Sequence, residues 1–132
     1  MSHQYLYLKL LLRNNLLLDF DEYTLIDTKQ QGMVCSFMDL KLASAFQPVL
    51  WTDGRVAGRE ALLRAGWLEH GELTPEGAFE VAIKTDRVVQ FDRLVRIIHL
   101  MNHARSADES ELLFLNVHPG LLASVGDHGR TF

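Results

Sequence analysis

Residues 58–66 read GREALLRAG, and the fold turns on whether they coil or extend. On a helix, Glu60 and Arg64 stand four apart and form an ordinary surface ion pair, contributing roughly a few tenths of a kcal/mol. On a strand, positions 60, 62 and 64 share one face, so an acid, a leucine and a base point into the same space. Glu, Ala, Leu and Arg are all good helix formers, which favours the first reading. The preceding residues favour the second. Phe46–Trp51 is a short apolar run, and Asp53-Gly54 follows it, where glycine supplies the positive φ that a tight turn needs. Phe46–Trp51 and Val56–Leu63 then read as two arms of an antiparallel hairpin. Composition alone leaves helix and strand evenly matched.

Downstream, Leu73-Thr74-Pro75-Glu76 is a helix start, with Thr74 as N-cap, Pro75 at the first helical position and Glu76 in the first turn. Ala78, Phe79, Ala82 and Ile83 continue an apolar stripe, which predicts a helix from about 75 to 84. A longer helix is predicted over roughly 86–105. There Val88, Phe91, Leu94, Val95, Ile98 and Met101 recur at helical spacing, with Asp92, Arg93, Arg96 and His99 around them. Ser106–Glu111 is polar and reads as a loop. Leu112–Val117, LLFLNV, is a continuous apolar run that meets Pro119-Gly120 and reads as a strand buried on both faces. Hairpin, helix, helix and buried strand suggest βα units, with an antiparallel strand at the start as a departure from a regular barrel.

Upstream, Tyr5–Leu12 and Leu16–Ile26 flank Arg13-Asn14-Asn15, which marks either a hairpin turn or a helix break. Asp27–Gly32 reads as a loop. At 132 residues the chain suits one domain with a real core. The net charge of −4 gives no general reason to expect duplex nucleic acid or an anionic membrane as partner. Cys35 is the single cysteine, which excludes an intrachain disulfide and a cysteine-based metal cluster and reads as a buried small hydrophobe. The apolar opening is interrupted by Lys9, Arg13, Asn14 and Asn15, too soon for a membrane span. It also lacks the basic n-region and small-residue cleavage site of a signal peptide. A reducing cytoplasm is the expectation.

Asn116, near the end of LLFLNV, must be hydrogen-bonded or serve something at the sheet's edge. It reads either as a cap on the turn before Pro119 or as a site residue at a strand's C-terminal end, where function collects in βα folds. Gln47, between Phe46 and Pro48, reads as an edge residue or a site residue. His99 and His103 stand four apart but lack the acid of an HEXXH arrangement, so they read as a packed or solvated pair. His70 and His118 read as loop residues. No nucleophile elbow, phosphate-binding loop or dinucleotide fingerprint occurs.

Taken together, AFQPVLWTDGRVAGREALLR and LLFLNVHP resemble the EAL domain family, bacterial phosphodiesterases of cyclic di-GMP. That family has a strand containing Gln-Pro, a turn, the E-A-L-L-R strand, a Leu-Asp or Phe-Asp step matched by Phe91-Asp92, and a strand ending in Asn shortly before Pro. The resemblance divides the chain into residues 1–40, an N-terminal extension, and 41–132, the N-terminal portion of an EAL-type domain. It implies an α/β fold, a partial TIM-like (β/α) barrel with an antiparallel first strand. It implies Glu60 and Asn116 as ligands of Mg²⁺ or Mn²⁺, Gln47 and Arg64 as contacts to the cyclic dinucleotide, and Leu62 as a pocket wall. Arg64 suits a phosphate, and hard oxygen ligands suit such cations.

Arg59 departs from the family pattern, in which an aromatic residue is common, and its side chain should face away from Glu60. His118 replaces a smaller polar residue. A full barrel takes roughly 250 residues, and the family's later motifs are missing: a further metal-binding Glu, the paired aspartates of D-D-F-G, a lysine, and later Glu and Gln. The resemblance therefore implies a truncated phosphodiesterase domain that is inactive as an isolated chain. The alternative is a degenerate regulatory module acting by protein–protein interaction. In either case a half barrel would need a second copy or a partner chain to cover its open edges.

Overall fold

The computed structural model describes residues 25–106 and 110–120. Among these residues, six strands form one open sheet, and two helices pack on it. The elements run β1 (Leu25–Thr28), β2 (Gly32–Phe37), β3 (Leu40–Leu50), β4 (Val56–Trp67), β5 (Gly71–Leu73), α1 (Pro75–Lys84), α2 (Val88–Ser106) and β6 (Leu112–Phe114).

Tight turns account for this order. Between β1 and β2, the Thr28 hydroxyl accepts from Gln31 N at 3.0 Å and donates to Gly32 O at 2.9 Å. Gly32 carries φ +68°, and a Cβ there would lie 2.6 Å from Asn102 Oδ1, so both conformation and close approach require glycine. Met38 and Asp39 link β2 to β3 with φ 49° and 64°, the two positive values of a two-residue hairpin turn. Trp51–Arg55 closes the long β3–β4 hairpin, where Trp51 N donates to Arg55 O at 2.8 Å and Gly54 N to Trp51 O at 2.9 Å.

GREALLRAG is strand throughout, within β4. β4 pairs with β3 from Leu40↔Trp67 to Leu50↔Val56, with one irregularity at Val49/Leu50. On its other edge β4 pairs antiparallel with β5 through residues 65–67 and parallel with β6 through residues 58–60. Gly58 lets β6 approach, because a Cβ there would lie 2.2 Å from the Leu112 carbonyl oxygen. Between these contacts, residues 61–64 of that edge have no strand partner among the described residues.

Helix α1 spans the expected residues: Thr74 Oγ1 accepts from Gly77 N at 3.0 Å, and Pro75 occupies the first turn. Helix α2 follows after a reversal at Asp86, φ 58°. The core lies between the helices and one sheet face, joining Phe37, Leu40, Leu42 and Leu63 to Phe79, Phe91, Leu94 and Ile98. Phe91 meets Phe37 at 5.6 Å and Phe79 edge-on at 4.9 Å between ring centroids. Cys35 is buried in this core, as its solitary occurrence suggested.

This architecture overturns the partial TIM-like barrel. Of five strand pairings, four are antiparallel and only β4–β6 is parallel. Parallel repetition needs a crossover of about a dozen residues or more, and among the described residues only the segment from β4 through α1 and α2 to β6 provides one. The short turns elsewhere return the chain beside itself as hairpins. The expected burial of LLFLNV on both faces is also overturned. β6 has three residues, and Leu112 and Phe114 are 50% and 40% exposed, because the helices cover the other face of the sheet.

Candidate binding site

The register of β3 and β4 sorts the candidate residues onto one face. Directly opposed residues share a face, and the pairs are Gln47↔Glu60, Ala45↔Leu62 and Ala43↔Arg64. Their alternates, including Leu42↔Ala65 and Ser44↔Leu63, look towards the helices. Gln47, Glu60, Leu62 and Arg64 thus stand in two neighbouring rows on the face opposite the helices. Buried Ala43 and half-buried Ala45 stand opposite Arg64 and Leu62 on this face.

The β6 strand brings in the last candidate. Phe114 pairs in parallel register with Glu60, and Asn116, two residues on, donates from Nδ2 to Glu60 Oε1 at 3.1 Å. Residues distant in sequence therefore place a carboxylate and an amide together at the sheet's edge. Arg64 makes no ion pair with Glu60; its Nη1 donates to Leu63 O at 3.3 Å. Arg59 points to the other face and pairs with Glu111 at 3.1 Å, as strand alternation requires. His118 stacks on Phe79 with centroids 4.4 Å apart and planes 6° from parallel, and its Nδ1 accepts from Gly120 N at 2.9 Å.

A cavity of about 300 Å³ opens at the unpartnered stretch of β4. Leu62, Arg64, Asn116 and His118 line it, together with Phe79 and three polar residues of α2: Asp92, Arg96 and His99. Those three recur at i, i+4 and i+7 and so occupy one helix face. Asp92 Oδ2 accepts from Arg96 Nε at 2.7 Å. Burial raises the Asp92 carboxyl above its ordinary value of 3.8, and the Arg96 bond opposes that rise. Burial, aided by the Arg96 charge, lowers His99 to about 4.

His99 and His103 are a packed pair, 4% and 8% exposed, with ring centroids 6.5 and 6.2 Å from Phe46. Sequence reasoning set Asp92, Arg96 and His99 around the apolar stripe of α2 and missed their convergence on a cavity. The missed signal was their own helical spacing. Ser44 and Asn102, which orient His99, carried no recognisable pattern.

Among the described residues, no group of three or more His, Cys, Asp or Glu side chains is placed to hold a metal ion. Glu60 in β4 carries a carboxylate, and Asn116, two residues beyond β6, faces it through its amide nitrogen. Among the described residues, no helix is long and apolar enough to cross a membrane. No protein-family model, curated protein or solved structure matches the chain.

Proposed function

We propose that the face carrying Gln47, Glu60, Leu62, Arg64 and Asn116 is a binding site for cyclic di-GMP of the EAL type, in a bacterial second-messenger pathway in the cytoplasm. The Glu60–Asn116 hydrogen bond carries this reading. It joins two residues that the resemblance marks as ligands of one cation, although 56 positions separate them in sequence. Arg64 stands on the same strand face, and its planar guanidinium suits a phosphodiester anion. Mg²⁺ or Mn²⁺, held by Glu60 and Asn116, would offset phosphate charge and activate water in the family's hydrolysis. The residues assembled on this face suffice for recognition, and the proposed role is ligand binding rather than turnover by this chain alone.

Calorimetric titration of the chain with cyclic di-GMP, with and without Mg²⁺ or Mn²⁺, tests the reading. Binding that requires the cation and is lost in Glu60→Gln and Arg64→Ala supports it. Absence of binding, or binding indifferent to cation and to both substitutions, overturns it.

A regulatory interaction module is the second reading. It is favoured by Leu112 and Phe114, exposed on the same face as Glu60. A second copy or a partner protein laid over this face would bury them. Sedimentation of the chain alone distinguishes a self-associating face from one that needs another protein.

A further inference from the structure

The cavity beside β4 contains a hydrogen-bond donor whose state can be worked out atom by atom. Met33 N, which can only donate, gives its hydrogen to Asn102 Oδ1 at 2.7 Å. This fixes the orientation of the Asn102 amide. Asn102 Nδ2 then gives one hydrogen to Met33 O at 3.0 Å and the other to Ser44 Oγ at 3.1 Å. Ser44 Oγ accepts that bond and, with no other acceptor for it among the described residues, turns its own hydrogen to His99 Nδ1, 2.7 Å away. Nδ1 is therefore an acceptor, and the neutral ring carries its proton on Nε2. The lowering of His99 to about 4 by burial agrees with a neutral ring.

No acceptor among the described residues meets His99 Nε2, and His99 lines the cavity. The charged lining balances: Asp92 and Arg96 form an ion pair at 2.7 Å, and Glu76 and Arg64 add one charge of each sign. An ion entering the cavity would lose its hydration with no net opposite charge to compensate it. The rest of the lining is mainly apolar, including Ala61, Leu63, Val95 and the Phe79 ring. About 300 Å³ lies at the lower end of the small-molecule range.

We infer that this cavity is a binding site for a small, neutral, flat molecule whose carbonyl oxygen accepts a hydrogen bond from His99 Nε2. The apolar walls and the Phe79 ring take the body of the ligand, and the proton chain from Met33 through Asn102 and Ser44 holds the donor ready. The cavity shares Leu62, Arg64 and Asn116 with the proposed cyclic di-GMP face, but the inference does not rest on that reading, because the donor His99 Nε2 belongs to α2 and not to that face.

Benzamide serves as the probe, with ¹⁵N-imidazole spectra of the full chain reporting His99. In the free protein, the spectra should show His99 with its proton on Nε2. Benzamide should move the His99 Nε2 signal saturably at millimolar concentration. Toluene, which lacks the acceptor, and benzoate, which is charged, should each bind at least tenfold more weakly. Ala61→Leu, which adds volume to the cavity wall and is checked for folding by its amide spectrum, should abolish the shift, and Glu60→Gln should leave it unchanged. His99→Phe, checked for folding by its amide spectrum, should bind benzamide at least tenfold more weakly. No saturable shift, equal binding of toluene or benzoate, or undiminished binding by Ala61→Leu would each overturn the inference.

Discussion

The two faces of the sheet use the same β3–β4 hairpin for opposite ends. Towards the helices, Leu40, Leu42 and Leu63 disappear into a core with Phe91 and Leu94, where shape complementarity dominates. On the other face, Gln47, Glu60, Leu62 and Arg64 occupy the intervening positions, and β6 adds exposed Leu112 and Phe114. Period-2 alternation makes each choice on one face independent of its neighbour on the other. A rigid hairpin can thus hold polar groups in a row because its reverse side is fixed by packing.

The comparison breaks most severely on the core side. Phe91→Ala removes a fully buried ring that contacts Phe37 and Phe79. It should cost about 3–5 kcal/mol in urea unfolding.

Acid attacks the same side through His99, whose value is about 4 in the fold against an ordinary 6.5. As pH falls from 6.5 towards 4, the unfolded chain binds a proton that the fold refuses, so stability declines, by on the order of 3 kcal/mol at most. Asp92 acts in the opposite sense just above 3.8, because its carboxyl is raised in the fold and binds a proton there first. The His99 contribution is therefore read at the upper end of the window. Urea unfolding across this range should show the decline, and His99→Phe should flatten it.

Gly58→Ala probes the junction of the two faces. Its Cβ would lie 2.2 Å from the Leu112 carbonyl oxygen, so β6 must shift. The expected cost is about 1–3 kcal/mol. Amide protection at Leu112–Phe114 should fall, and the Glu60–Asn116 contact should be lost with it.

Glu60→Gln should change least. Its expected effect on unfolding stays within about 0.5 kcal/mol, as for substitutions outside a packed core. If unfolding instead shifts by several times that amount, Glu60 supports the fold and the contrast between the faces fails.

Legibility in the sequence follows a similar division. The α1 helix was readable because Thr74 and Pro75 mark its start locally and the apolar stripe repeats within ten residues. The β3–β4 hairpin was readable from Asp53-Gly54. The β2–β3 turn was not, because Met38 and Asp39 adopt positive φ without the Asn-Gly signal that usually announces it. Tyr5–Leu12, Arg13-Asn14-Asn15 and nearly all of Leu16–Ile26 lie outside the described residues. At the site, spacing and position singled out Glu60, Leu62, Arg64, Gln47 and Asn116, and the family resemblance supplied their roles. Burial of Asp92 and the orientation of His99 had no local sign, since both depend on what α2 packs against.

The sequence alone determined the two helices, because capping and periodicity act over a few residues. For the long hairpin, and the alternation that puts 60, 62 and 64 on one face, composition was even, and Asp53-Gly54 with the resemblance tipped the reading. Tertiary structure decided the rest. It showed that the sheet is open and mainly antiparallel, that LLFLNV exposes Leu112 and Phe114, and that Asn116 meets Glu60. It also placed the Ser44 hydroxyl 2.7 Å from Nδ1 of a histidine 55 residues away. These outcomes depend on which element lies beside which. That is set by the packing of helices on a single sheet face and by the close approach that Gly58 permits.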